Sequence, residues 1–397
     1  MILQFTRRML TEIDKRLLFK FVYNFGWKGM KAVNHFNRRL KRGVHFPAFL
    51  FLSITNNCNL KCQGCWVSPT KPARELDLQT LNQIINEAKK FGSYFYGILG
   101  GEPLMYPKLI ELFKAHPDCY FLLFTNGTLL NEENIEQMHQ AGNVSPLISI
   151  EGNEVVSDER RGGKNVFSRS MQGLDACIKR GLITGVATSV CKSNIDDLAN
   201  EKFVHELVKR GVHYLWYYIY RPVGPQPTPE LILSEEQVIQ LRKFMVDIRS
   251  QVPMLVVDSY WDHEGKALCP AAVGIGHHIN SNGDVELCPP IQFAKENIKQ
   301  EKNLETIFRQ STFIKAFREK ASEASRGCII MENPELLKQI VVENGAYDSS
   351  RRNSALQELS SILPCTSHAM AGHEIPEKYW VYKFAKKNWF WGFGAYG

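Results

Sequence analysis

The sequence predicts an α/β fold built on a parallel sheet of six strands. Strand-like apolar runs alternate with segments of helical periodicity from residue 46 to about 230, and alternation of this kind argues for parallel strands covered by helices. The strands also end in Gly, Asn or Asp-rich turns. At 397 residues and 44% apolar, the chain is long enough for one large core and a smaller appended unit.

Residues 1–42 read as helical, with apolar residues interleaved among bases. FPAFLFLSIT (46–55) is the first strand-like run. LDLQTLNQIINEAKKFG (76–92) has helical spacing and stops at a glycine. Strands follow at 93–101, 119–127, 146–152, 183–190 and 214–222. Helices fit at 108–116, 131–142, 166–180 and 195–210, with another at 234–251. Beyond it the rhythm stops. HHINSNGDVELC (277–288) reads as a hairpin turning at Asn282-Gly283, and 295–360 as mainly helical and polar. In parallel α/β folds the reactive groups sit at the carboxyl ends of strands.

No run of about 18 uncharged apolar residues occurs, which predicts no membrane-crossing helix. MILQFTRRMLTEIDKR lacks the apolar stretch of a secretion signal, so a cytoplasmic protein is expected. Ten cysteines in such a chain favour metal ligands or buried thiols over disulfides. Net charge is +7, but residues 1–45 carry eleven Lys/Arg against two acids, so this leader is +9 and the remainder −2. A basic, aromatic leader suits an acidic surface. At the other end, residues 379–397 hold nine aromatics and three lysines, a lipid-interface composition that equally fits a packed lid. Peripheral contact of 1–42 and 379–397 with an anionic membrane surface at the inner membrane face is one reading, and capping of the barrel's bottom by the N-terminal helices is the other; nucleic acid is not expected.

The first strand runs into Thr-Asn-Asn-Cys58-Asn-Leu-Lys-Cys62-Gln-Gly-Cys65. Three thiolates on one loop can bind three irons of a cubane and leave the fourth without a protein ligand. Zinc with a fourth ligand nearby, or buried free thiols, are the alternatives. The triplet resembles the signature of the radical S-adenosylmethionine (radical SAM) superfamily, C-x3-C-x2-C. Gly64 stands where an aromatic or bulky residue is usual, and Trp66 follows. The resemblance implies a partial (β/α)6 TIM-like barrel. It also implies a SAM-binding 4Fe–4S cluster on Cys58, Cys62 and Cys65, SAM itself as cofactor, and a flavodoxin or ferredoxin as reductant. The implied chemistry is reductive cleavage of SAM to a 5′-deoxyadenosyl radical that abstracts hydrogen from substrate.

Other strand ends extend the likeness. Gly100-Gly101-Glu102-Pro103 resembles the family's GGEP, which binds the amino group of SAM. Thr125-Asn126-Gly127 resembles its TNG turn. Ser149 and Glu151, two apart and so on one face of a strand, resemble a ribose-contacting pair. Arg161 in Asp158-Glu159-Arg160-Arg161-Gly162 matches an arginine that meets the SAM carboxylate, a task suited to a guanidinium. Ser189, Asn194, Tyr218 and Tyr220 lie near later strand ends, where adenine contacts or core packing are both open, and Ser189 is taken as a cofactor contact.

Cys269-x13-Gly283-x4-Cys288 brackets the hairpin and resembles the opening of the SPASM and twitch auxiliary-cluster modules. Cys328 and Cys365 complete four. Too few cysteines remain for a full SPASM module, so the resemblance implies a twitch-like α+β unit with one auxiliary 4Fe–4S cluster, zinc being the alternative. Cys119, Cys177 and Cys191 are expected to be buried thiols, Cys191 with a chance of serving as hydrogen donor in the pocket. The division expected is a basic helical leader (1–45), the barrel (46–230), a connecting helix (231–260), the twitch-like unit (261–378) and an aromatic tail (379–397). Three functions compete: a radical enzyme acting on a lipid or membrane-associated substrate, a peptide or protein maturase, and a non-catalytic electron-transfer protein.

Overall fold

Six strands follow the predicted alternation: β1 (Phe49–Ser53), β2 (Phe95–Leu99), β3 (Tyr120–Thr125), β4 (Val144–Ser149), β5 (Gly185–Val190) and β6 (Tyr214–Ile219). Each pairs parallel with the next in chain order. The computed structural model describes residues 1–324 and 326–388. A seventh parallel strand, β7 (Leu255–Val257), pairs with β6 and lies within the segment expected to be only a connecting helix. It is three residues long and flanked by turns, which gives periodicity little to register.

The hairpin strands β8 (Gly276–Ile279) and β9 (Asp284–Glu286) do not start a new sheet. β8 pairs parallel with β1, and β10 (Phe293–Asn297) and β11 (Tyr347–Asp348) continue antiparallel beyond β9. The result is one eleven-stranded sheet ending at β11 and β7, so the barrel is not closed. A buried chain of hydrogen bonds ties the hairpin to β1: Ser53 Oγ lies 2.8 Å from His278 Nε2, and His278 Nδ1 lies 2.6 Å from Glu286 Oε2.

The leader forms α1 (Ile2–Glu12), α2 (Lys15–Lys20), a π-helical stretch Phe21–Trp27, and α3 (Lys28–Leu40). Ala32, Val33 and Phe36 of α3 plug the barrel from below, against Phe49, Phe95, Tyr120 and Trp216. The barrel helices are α4 (Leu78–Lys90), α5 (Leu109–Ala115), α6 (Glu132–Ala141), α7 (Glu154–Arg161), α8 (Val166–Lys179), α9 (Ile195–Leu198), α10 (Glu201–Arg210) and α11 (Glu235–Ile248). Their carboxyl ends, with unpaired carbonyls and negative dipole ends, point to this floor. The leader's cations meet them: Arg16 and Lys20 donate to carbonyls of His139, Gln140 and Ala141 at the end of α6, Arg39 to Phe91 beyond α4, and Lys28 to Asp118. Arg8 donates to Val212 and Pro253 at the entries to β6 and β7. Part of the +9 charge is thus spent inside the fold.

The remainder contributes α12 (Pro270–Val273), α13 (Leu304–Gln310), α14 (Thr312–Ala324), α15 (Ile329–Glu332), α16 (Pro334–Glu343), α17 (Ala355–Ser361) and α18 (Trp380–Asn388). The near part of the aromatic tail is docked, not free. Tyr382 Oη accepts from Val256 N of β7 at 2.8 Å, and Lys386 is buried 3.0 Å from Asp258. Arg242, Arg249, Asp258 and Glu377, all fully buried, complete this ion cluster. Residues 389–397 of the tail lie outside the described residues. Among those described, no helix is long and apolar enough to cross a membrane.

Candidate functional site

The loop after β1 carries Cys58, Cys62 and Cys65, and all three line a cleft of about 580 Å³ above the sheet. Burial, first of all, pushes the Cys58 thiol up to about 11 and the Cys65 thiol up to about 12, with the neighbouring Cys62 adding to both. Without metal these thiols keep their protons at neutral pH, so ligation must displace them. Gly64 has φ +66°, and a Cβ there would stand 2.2 Å from the Tyr220 hydroxyl. The glycine in place of an aromatic residue fits the residue after β6: Tyr220 already fills the space, its ring under the Arg160 guanidinium at 5.3 Å.

The next strand end divides the GGEP run. Gly100 and Gly101 line the cleft, and a Cβ on Gly101 would meet the Asn57 carbonyl oxygen at 2.2 Å. Glu102 turns inward instead. Its Oε1 accepts from Thr125 Oγ1 at 2.7 Å and Leu104 N at 3.0 Å, and its Oε2 from Asn126 N at 2.7 Å. Glu102 and Pro103 do not line the cleft, and the Glu102 carboxylate holds three donors of this chain. Burial leaves the Glu102 carboxyl raised in spite of those bonds.

Ser149, Glu151, Arg161 and Ser189 line the same cleft. Arg161 pairs with Glu151 and reaches Cys62 Sγ with Nη1 at 3.8 Å, while Glu151 Oε2 accepts from Ser189 N at 2.9 Å. Burial opposes the Arg161 charge, but Glu151 and the Cys62 sulfur outweigh it and leave its pKa raised. A fixed cation thus stands beside the thiol loop.

The same residues open into a second, mostly apolar cavity of about 380 Å³ inside the barrel, walled by Phe49, Phe51, Phe124, Tyr218 and Tyr260 among others. Cys269, Cys288 and Cys328 line its far side, and Cys365 faces Cys328 from beyond the wall. Cys269 and Cys328 each precede a short helix, α12 and α15. Burial raises Cys269 to about 11 and Cys288 well above the usual thiol range, with Cys328 adding to both. Cys288 follows β9 by two residues, at the end of the hairpin where β8 begins, and Gly276, the first residue of β8, pairs with Phe49, the first residue of β1. The two cysteine sets therefore stand at opposite ends of β1.

Sequence reasoning missed Arg221, just past β6. It is half-buried at the far cysteine set, bonds Cys328 and His368 (Nη2 to Nδ1, 2.9 Å), and lies over Tyr260 at 5.4 Å. Nothing in its local sequence marks it, because Cys328 and His368 lie more than a hundred positions away. Tyr218, open as an adenine contact or as core packing, lines the apolar cavity, and its buried hydroxyl has no hydrogen-bond partner among the described residues. Asn194 instead caps its own turn, bonding Cys191 N and Ser189 O. Cys191 is buried beside Tyr220 and Leu231 and lines neither cavity, which removes it as a hydrogen donor there. Cys177 is core. Cys119 sits with His116 and Asp118, but the Lys89 ammonium already occupies that cluster, 2.6 Å from Asp118 and 3.1 Å from His116.

The pattern of the Radical SAM superfamily matches residues 52–202, from β1 through the first residues of α10. Residues 52–202 are a radical SAM domain. Radical SAM proteins use a 4Fe–4S cluster and SAM. An AdoMet-dependent heme synthase of Methanosarcina barkeri is 31% identical over 38% of this chain and 45% of its own length. The sporulation killing factor maturation protein SkfB of Bacillus subtilis is 31% identical over 39% of each. The likeness thus spans less than half of either relative. The structure of SuiB from Streptococcus suis bound to its precursor peptide SuiA superposes with a TM-score of 0.60 over 72% of this chain and 70% of SuiB, at 17% identity, which speaks for the fold.

Proposed function

We propose that this chain is a radical SAM enzyme that abstracts hydrogen from a largely apolar substrate lodged between two iron–sulfur sites. The observation that carries the reading is the apolar cavity that opens from the cleft over Cys58, Cys62 and Cys65 and ends at Cys269, Cys288 and Cys328. The donor sets fit clusters. Among the described residues no three of these sulfurs lie within 4.8 Å of one another, whereas a single tetrahedral zinc with bonds of ~2.3 Å draws its sulfurs to about 3.8 Å. Thiolates that each bind a different iron suit the wider spacing.

When bound, a three-cysteine cluster supplies the electron that splits SAM into methionine and a 5′-deoxyadenosyl radical. The chain's own contribution is placement. Gly100 and Gly101 offer backbone close to the cleft, Arg161 offers a fixed cation for a carboxylate, and Ser149 and Ser189 offer polar contacts between cleft and cavity. The aromatic walls exclude water around a radical. Tyr218 offers a single hydroxyl to a polar atom of an otherwise apolar substrate. A flavodoxin or ferredoxin is the proposed reductant, on the cytoplasmic side.

The apolar cavity and basic leader favour a lipid or other membrane-associated substrate and an anionic membrane surface as partner. A second reading, maturation of a peptide, is favoured by the likeness to SkfB and by the fold shared with SuiB. Anaerobic reconstitution followed by SAM and dithionite tests the core proposal. We expect two clusters' worth of iron and sulfide, 5′-deoxyadenosine as product, and loss of product with the triple Cys58→Ala, Cys62→Ala, Cys65→Ala variant. Replacing Cys269 and Cys288 should remove about half the iron. Iron uptake without 5′-deoxyadenosine would leave only an electron-transfer protein. Mass spectrometry of extracts with and without the gene then separates lipid from peptide products.

A further inference from the structure

The leader has two faces, and only one is used by the fold. Met9, Ile13, Leu17, Ala32, Val33 and Phe36 face inward, and Arg8, Arg16, Lys20, Lys28 and Arg39 clamp floor carbonyls. The outward face carries Leu3, Leu10, Phe19, Val22, Tyr23 and Trp27, with Leu3 82% and Phe19 69% exposed. Phe19 stacks on Tyr23, and the Lys31 ammonium lies 4.9 Å over the Trp27 ring. Around these sit Arg7, Lys15, Lys31, Arg38, Lys41 and Arg42, all exposed and, among the described residues, in no ion pair. Both leader acids are engaged: Glu12 pairs with Arg8, and Asp14 caps α2.

We infer that the barrel floor is the membrane-docking face: the outward side of α1 to α3 lies flat on an anionic bilayer, aromatic and aliphatic side chains in the headgroup layer and the six free cations on lipid phosphates. The inference deepens the membrane reading proposed above by fixing which surface meets the lipid and which way the enzyme faces. The chemistry of the face fits one occupant. Large exposed apolar side chains rimmed by Lys and Arg match an interfacial segment, and an uncompensated cluster of cations selects anionic headgroups. The helices are anchored to the barrel on their other side, so no ordering of the leader is needed at the moment of binding.

The orientation has a consequence. The cysteine cleft stands at the carboxyl ends of the strands, and the floor at their amino ends. A floor-down enzyme turns its mouth away from the bilayer, so the reductant reaches it from the water side and a lipid substrate must leave the bilayer to enter the cavity.

The test uses the full chain with anaerobically reconstituted clusters, and vesicles of phosphatidylcholine alone or mixed equally with phosphatidylglycerol. We expect co-sedimentation with the mixed vesicles at low salt and release at high salt. The pair Phe19→Asp, Trp27→Asp and the pair Lys31→Glu, Arg38→Glu should each weaken binding about tenfold or more, given an interaction of roughly fivefold in affinity per cation. Each pair should leave 5′-deoxyadenosine formation unchanged, so failure to dock is read separately from failure of the SAM chemistry. Equal binding to pure phosphatidylcholine, or undiminished binding by both variants, overturns the inference. So does pelleting without lipid, or a doubled mass in solution, if the aspartate pair abolishes it, because the face would then bind a second copy. Truncation after residue 388 should leave binding intact; its loss would transfer the docking site to the tail.

Discussion

Replacing Glu102 by Gln separates a ligand-binding carboxylate from a structural one. The carboxylate is fully buried and accepts three hydrogen bonds of 2.7, 3.0 and 2.7 Å. Glutamine keeps the shape but offers one oxygen, so its amide nitrogen must face either Asn126 N or the pair Thr125 Oγ1 and Leu104 N. At least one bond to a charged acceptor is lost and two donors are set against each other. With such bonds contributing ~1.5–3 kcal/mol and an unsatisfied buried group costing ~1–3, the variant should lose about 2–4 kcal/mol. Anaerobic urea unfolding measures this, and equilibrium dialysis of labelled SAM measures the second half of the argument. Once folded, Glu102→Gln should bind SAM within about threefold of the parent, because the cleft is lined by Gly100 and Gly101 and not by this side chain. A tenfold loss of SAM affinity with unchanged stability would refute the inward assignment and restore the carboxylate as a direct contact.

Three further outcomes are open to measurement. Gly64→Ala places a Cβ on the Tyr220 hydroxyl at positive φ and should cost ~1–3 kcal/mol and iron retention, with Gly64→Ala, Tyr220→Phe recovering part of the loss; no recovery would mean that backbone strain alone is at fault. Arg221→Met removes the half-buried cation beside Cys328 and should lower the midpoint potential of the far cluster by on the order of 59 mV, a tenfold change for one electron, in an electron paramagnetic resonance titration, while the near cluster stays put. Burial, reinforced by Arg318 and Arg8 respectively, pushes His45 and His213 down to about 4, so both stay neutral in the fold while the unfolded chain takes up their protons below ~6.5. Stability from this source is whole above that value and falls as pH drops from 6.5 towards 4, by roughly 3 kcal/mol per histidine at most; hydrogen exchange of the leader and of residues 276–279 should rise over that window and be flat if either group is charged at neutral pH.

Much of this architecture can be read without coordinates, for physical reasons. Strands β1 to β6 announce themselves because buried parallel strands are continuous apolar runs, and the cysteine spacings because one loop must deliver several thiolates. What stays hidden depends on partners distant in sequence or on backbone. The leader's bases look like a free charged surface, yet five of them meet carbonyls, which leave no trace in side-chain composition. Glu102 reads as a ligand contact because its motif fixes position, not the direction of the side chain. Arg221 and His368 meet only because the region after the hairpin folds back over β6. The tail's composition fits a lipid interface and a packed lid equally, and only distant partners decide it: Tyr382 and Lys386 are drawn into β7 and the buried ion cluster.

Strand β1 acts as a spacer between the two cysteine sets, the proposed cluster sites. Five residues at roughly 3.3 Å each set about 16 Å between the level of the triplet loop and that of Cys288. Because the hairpin is stitched to that same strand, neither end can drift without breaking a central sheet. Electron exchange falls away steeply with separation, so a rigid gauge of this kind would hold its rate constant through every turnover, whatever the loops above it do.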